Sequence, residues 1–206
     1  ASTSQTIRVT VWNIYKGSRS SYESEFSHLA QNSDLMLLQE VLLDTRTERA
    51  FTARPKASWV MAEAWKQSGI STGTAILSAF QFLFPMGLLS PDNEPVSFTP
   101  KSSVFITVPI KGQANPLLVV NTHAINFTRN GPFIRQLESV ADLISDHQGP
   151  VIWAGDFNTW RDSRLEILYN QTKTLELNPV PFKNNQRNWV LDHIFIRGLK
   201  VSEAQV

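Results

Sequence analysis

The sequence predicts an α/β (α+β) fold in which two layers of mostly antiparallel sheet pack face to face and are flanked by helices. Three observations carry that expectation. Strand-like apolar segments come in pairs joined by short polar turns, Trp59 to Trp65 with Ser71 to Ser78 and Lys101 to Ile110 with Leu117 to Ala124, a spacing suited to hairpins rather than to parallel crossovers. Helical periodicity returns between some of these strands, so helices are available to cover the outer faces of the sheets. The chain has 206 residues, 42% of them hydrophobic, and no cysteine. It therefore reads as one domain over residues 1–206, with a core large enough to need no disulfide or thiolate-bound metal.

The elements follow in order. Ile7 to Tyr15 alternates apolar and polar side chains and predicts a strand. Tyr22 to Asn32 places Phe26, Leu29 and Ala30 at helical spacing. Asp34 to Val41 is nearly continuously apolar, as expected of a strand covered on both faces. A helix over Thr45 to Arg54 must stop before Pro55. The first strand pair turns at Gln67-Ser68-Gly69 and the second at Lys111 to Pro116. Phe133 to His147 carries the stripe Leu137, Val140, Ala141 and Ile144, with Pro132 as its first residue and Gly149-Pro150 as its end. Ser163-Arg164-Leu165-Glu166 has the pattern of a capping box opening a helix to about Lys173. Leu191 to Arg197 is the last clear strand, followed by a weaker apolar segment. Asn178 to Asn188 reads as a surface loop. Phe80 to Leu89 is apolar but too short to cross a membrane, and no membrane association is expected.

Charge narrows the partners. With 19 basic and 18 acidic residues the net charge is +1 and no Lys/Arg run occurs, so any grip on nucleic acid must be local. The polar start, Ala1 to Thr6, lacks the apolar stretch of a signal peptide. Together with the lack of cysteine this gives a cytoplasmic location as the expectation; a monomer is also expected.

Five strand ends carry chemically useful groups: Asn13 after Val11-Trp12, Glu40 after Leu37-Leu38-Gln39, Asn121 and His123 after Leu118-Val119-Val120, Asp156 and Asn158 after Ile152-Trp153, and Asp192 opening the last strand. The two-residue period of a strand puts Asp156 and Asn158 on one face, where a carboxylate and an amide can hold and activate a water. Oxygen ligands around Glu40 suit Mg²⁺ or Mn²⁺. Zinc is disfavoured, since no H-x-x-x-H spacing and no cysteine exist.

The segments Trp12-Asn13-Ile14, Leu38-Gln39-Glu40-Val41, Asn121-Thr122-His123, Gly155-Asp156-Phe157-Asn158 and Leu191-Asp192-His193-Ile194-Phe195, in this order, resemble the endonuclease/exonuclease/phosphatase superfamily. That group contains deoxyribonuclease I, abasic-site endonucleases, inositol-polyphosphate phosphatases and bacterial sphingomyelinases. Ser71 to Ser78 resembles its glycine-then-Ile-Leu-Ser strand, and Val11 to Lys16, His123 to Phe127 and Arg197 to Ala204 resemble the YafD-like bacterial branch. The resemblance implies a deoxyribonuclease I-like fold and hydrolysis of a phosphodiester or phosphomonoester with Mg²⁺ or Mn²⁺, the substrate being a nucleic acid or a small phosphorylated molecule. It implies that Glu40 binds the metal with Asn13 nearby, and that Asp156 and Asn158 position or deprotonate the attacking water. It implies that His123 donates to a phosphate oxygen, that Lys101 and Asn121 face the substrate, and that Asp192 orients a later histidine or assists the metal.

Two departures stand out. No Ser-Asp-His segment like the superfamily's terminal one follows the last strand up to Val206, so the domain reads as lacking its last strand and terminal histidine and as weakly active. The alternative function is accordingly a catalytically impaired binding module on the same fold. Tyr15 also stands where some nuclease relatives carry a metal-binding aspartate. His193 is not expected to substitute for the histidine, because alternation points its ring away from the face used by Asp192. His28 and His147 are expected at the surface. Trp160, Trp189 and Phe127 are expected as core or loop anchors, and Arg129, Arg161 and Arg187 as solvated charges.

Overall fold

The computed structural model describes residues 6–53, 57–183, 185, 187 and 189–206. Arg54 and Pro55, where the second helix was expected to end, lie outside them. The strands are β1 (Val9–Asn13), β2 (Leu35–Leu42), β3 (Ser58–Gln67), β4 (Ile70–Ser78), β5 (Leu83–Leu89), β6 (Ser102–Val108), β7 (Leu117–His123), β8 (Val151–Asp156), β9 (Asn178–Pro179) and β10 (Asp192–Arg197). The helices are α1 (Tyr22–Asn32), α2 (Thr45–Thr52), α3 (Asn130–Ser145) and α4 (Asp162–Thr174). A four-stranded sheet in the order β1-β2-β4-β3 faces a six-stranded sheet in the order β5-β6-β7-β8-β10-β9. Only β1–β2 and β7–β8 pair in parallel; the other pairs are antiparallel, as expected.

Strand alternation sorts the apolar residues into three cores. Leu35, Leu37, Ile76, Val104, Ile106, Val119, Ile152 and Ala154 fill the space between the sheets. The opposite faces of the same strands send Met36, Leu38, Ala75 and Leu77 against Phe26 and Phe51 of α1 and α2. Val120 and Trp153 pack with Leu137, Val140, Ile144 and Leu168 of α3 and α4. Each wholly buried Leu, Ile or Phe stabilises the fold by roughly 1.5–3 kcal/mol relative to exposure. The central strands hold the molecule together, and the site is built on their ends.

Four elements differ from the sequence expectation. Phe80 to Leu89 supplies an edge strand, β5, with Leu83, Phe84, Met86 and Leu89 exposed; its pattern is not alternating because an edge strand outside the core has no buried face to select one. The stripe of α3 is as expected, but the helix starts at Asn130, three residues earlier, and Pro132 sits within its first turn. Ser163 is not a cap: α4 starts at Asp162 and Arg161 holds the N-cap position. The loop from Asn178 opens with β9, which pairs with β10 at Phe195 and Ile196.

Candidate active site

At one end of the space between the sheets, polar residues replace the apolar ones. Val9 and Val11 point between the sheets, so the next inward position on β1 is Asn13. By the same count β7 offers Asn121 and His123 after Val119, β8 offers Asp156 after Ala154, and β10 presents Asp192 on the face of Ile194. The register places Asp192 opposite Asp156, and His123 beside Asp156. Alternation gathers the set.

Glu40 is the exception that alternation alone would misplace. Met36 and Leu38 face the helices, and regular pairing would send Glu40 the same way. Instead the β2–β4 register shifts between Leu38 and Val41, and Glu40 adopts φ +51°. This bulge turns the carboxylate inward, where Asn13 Nδ2 donates to Glu40 Oε1 at 3.2 Å.

The same Asn13 amide donates to Asp156 Oδ2 at 2.9 Å, and the Asn158 main-chain N–H donates to Asp156 Oδ1 at 3.0 Å. The strand ends at Asp156, and Asn158 lies beyond it at φ +50°. Its side chain does not lie parallel to Asp156, as the two-residue period predicted, but turns back to donate to the Ala124 carbonyl at 2.8 Å. Asn158 thus orients Asp156 through the main chain and ties the β7 loop to the β8 loop.

His123 Nε2 lies 4.0 Å from Asp156 Oδ2. Burial, reinforced by Lys101, holds the imidazole well below its usual pKa, so at neutral pH the contact is not an ion pair. A neutral ring keeps one N–H to donate. Asp156 is pushed up by burial and by Glu40, against hydrogen bonds from Asn13 and Asn158 and the charge of Lys101. Asp192 is pushed up to about 7 by burial and by Asp156, with Arg187 opposing from 3.7 Å. Arg187 is therefore a rim residue facing the site rather than a free solvated charge.

Lys101 stands at the start of β6 with Nζ 3.4 Å from Glu94 Oε1. Glu94 is itself buried and accepts from the Asn126 main chain at 2.8 Å. Nothing in the sequence marks Glu94, because its burial depends on the distant Asn126 loop as well as on nearby Ser97 and Lys101. Gln136 was likewise missed: it accepts from Ile125 N–H at 2.7 Å and donates to the His123 carbonyl at 3.0 Å, fixing the end of β7.

Asn121 is a correction. It is wholly buried, donating to the Leu38 and Ala75 carbonyls at 2.9 Å each and accepting from Gln39 at 2.6 Å. Its amide joins the two sheets and has no donor left for a substrate. His193 does point away from Asp192: its Nε2 lies 2.7 Å from Thr159 Oγ1, amid Phe157, Tyr169 and Phe195. His28 is exposed, but His147 is half-buried with Nε2 3.0 Å from the Pro116 carbonyl. Trp160 anchors a loop through Asn126 Oδ1 at 2.9 Å, whereas Trp189 and Phe127 are 70% and 62% exposed.

No group of three or more His, Cys, Asp or Glu side chains among the described residues is arranged to hold one ion. The oxygen-rich set still fits a hard divalent cation that needs few carboxylates and keeps most of its waters. Glu40, Asp156 and Asp192 concentrate negative charge, and buried Asp192 Oδ1 has no hydrogen-bond partner among the described residues.

The chain belongs to the Endonuclease/Exonuclease/phosphatase family, whose model matches residues 10–206. Solved structures share its fold. A family protein from Leptotrichia buccalis superposes with a TM-score of 0.74 at 15% identity, covering 97% of this chain and 91% of that one. Sphingomyelinase C from Streptomyces griseocarneus gives 0.70 at 15% identity, covering 95% and 85%. The mannosyl-6-phosphatase of Bacteroides thetaiotaomicron gives 0.69 at 16% identity, covering 94% and 86%.

Proposed function

We propose that this protein is a divalent-metal-dependent phosphoesterase acting on a phosphodiester or phosphomonoester. The observation that carries the reading is the set around Asp156: one buried carboxylate gripped on both oxygens, with Glu40, His123, Lys101 and Asp192 gathered about it. Asp156, raised in pKa and fixed in direction, serves as the base that orients and deprotonates the attacking water. Neutral His123 donates its N–H to a non-bridging phosphate oxygen, and Lys101 adds a positive charge where negative charge grows. Glu40, with Asn13 beside it, would hold Mg²⁺ or Mn²⁺; when bound, such an ion polarises the phosphoryl group and stabilises the leaving oxygen.

Calorimetric titration with Mn²⁺ tests the metal, alongside turnover of a generic phosphodiester and a phosphomonoester with Mn²⁺ or with chelator. Glu40→Gln removes a charged ligand but keeps the shape, so metal affinity should fall by about tenfold or more while thermal stability changes little. Equal Mn²⁺ affinity in the two proteins assigns Glu40 a structural role. Hydrolysis undiminished by chelator contradicts the metal-dependent reading.

A further inference from the structure

We propose that Arg164 is a positioning residue of this site: it clamps the loop after β7 to the loop after β8 and so fixes the Asn158 peptide that orients Asp156. Arg164 is a fully buried charged side chain on the first turn of α4. Its Nη1 donates to the Ile125 carbonyl at 2.8 Å and to the Asn158 carbonyl at 3.2 Å. Its Nη2 donates to Thr128 Oγ1 at 2.8 Å and to the Thr128 carbonyl at 3.3 Å. The guanidinium also lies 4.5 Å from the centre of the Phe133 ring and 5.7 Å from that of Trp160.

A buried cation is costly, and packing alone would be served better by an apolar side chain. What the guanidinium provides is a planar fork with several donors in fixed geometry, which no apolar residue or lysine reproduces. Here the fork meets carbonyls of two loops that each begin at a site residue, His123 and Asp156. The Asn158 main chain is held on both sides of its Cα. Its carbonyl accepts from Arg164, its N–H donates to Asp156 Oδ1, and its side chain reaches Ala124 on the opposite loop. Asn158 has φ +50°, a conformation that costs energy in a non-glycine residue and persists only where surroundings enforce it. Without the fork, the Asn158 main chain relaxes about its Cα and Asp156 loses the bond that fixes one of its oxygens.

The kinetic arm of the test rests on the phosphoesterase reading; the exchange arm does not. Arg164→Lys, Arg164→Gln and Thr128→Val are compared with the wild type by amide hydrogen exchange, thermal midpoint, kcat and KM. The clamp predicts that exchange at Asn158 in the arginine variants accelerates at least about 10-fold beyond any change at Val119 and Ile152 in the strands. It also predicts that kcat falls about 100-fold, the scale of a small misplacement, while KM shifts much less. Lysine should recover less of either property than a mere charge requirement would give. Thr128→Val removes one acceptor, gives the same selective loosening at smaller amplitude, and decides the matter if the arginine variants do not fold. Acceleration by one common factor at Asn158 and in the strands, with kcat per folded molecule unchanged, overturns the proposal. So does wild-type exchange at Asn158 in Thr128→Val. A wild type that turns over no phosphoester contradicts the functional reading, while exchange at Asn158 still decides the clamp.

Discussion

His123 at the end of β7 and His193 at the start of β10 lie on opposite faces of one sheet, and burial holds both in the neutral form. His193 is held at about 4 by burial against an ordinary value of 6.5. Because the folded protein resists this proton while the unfolded chain accepts it, the neutral ring's contribution is fully present above pH 6.5. It is lost as pH falls towards 4. The span is worth up to about 3 kcal/mol. His123 acts in the same direction, whereas Asp156 and Asp192, raised by burial, act in the opposite one. Comparing wild type with His193→Phe isolates the term: unfolding by denaturant at pH 7 and pH 4.5 should show a smaller acid-induced loss in the variant. Equal losses would mean that His193 ionises freely in the folded protein. At this scale Asn13, Glu40, His123, Asp156 and Asp192 were legible because each directly follows or opens an apolar strand. Asn121 was misread, since sequence cannot distinguish an amide facing a cleft from one bonded to the carbonyls of a facing sheet. Arg164 and Glu94 were invisible because their burial depends on the remote loop from Ile125 to Thr128.

Two strand irregularities do more for the site than the regular pairing around them. The β2 bulge re-aims Glu40, and Gly155 lets β8 approach β7. Gly155 has φ +146°, and a Cβ there would lie 1.9 Å from the Thr122 carbonyl oxygen. No side chain fits without moving the strand that ends at His123. Gly155→Ala should therefore destabilise the domain by about 3 kcal/mol or more and separate His123 from Asp156. Thermal denaturation checks the first effect. A variant as stable as wild type would show that the two strands can part at no cost. The elements themselves were largely readable: α1 matches its predicted bounds, and the hairpin pairs β3–β4 and β6–β7 were both expected. Periodicity reports burial, so β5, whose side chains are mostly exposed, gave no signal. The start of α3 was missed because Asn130, Gly131 and Pro132 resemble a turn, although each is tolerated in a first helical turn.

The whole molecule is a sandwich whose interior is apolar along most of its length and polar at one end. Parallel pairing of β1 with β2 and of β7 with β8 carries four strand ends to that end, and antiparallel β10 brings its first residue to the same place. The order of motifs along the chain could be read, but the distances could not, because they arise from sheets that meet only in the folded state. A buried carboxylate gripped on both oxygens is a poor choice for stability and a good one for a base. The most direct test is turnover of a generic phosphodiester with Mn²⁺ by wild type and by Asp156→Asn. Asp156→Asn should lose roughly 10²–10⁴-fold in kcat, with a thermal midpoint equal to or above that of wild type. Equal turnover by the two proteins would contradict the claim that Asp156 is the catalytic base of this site.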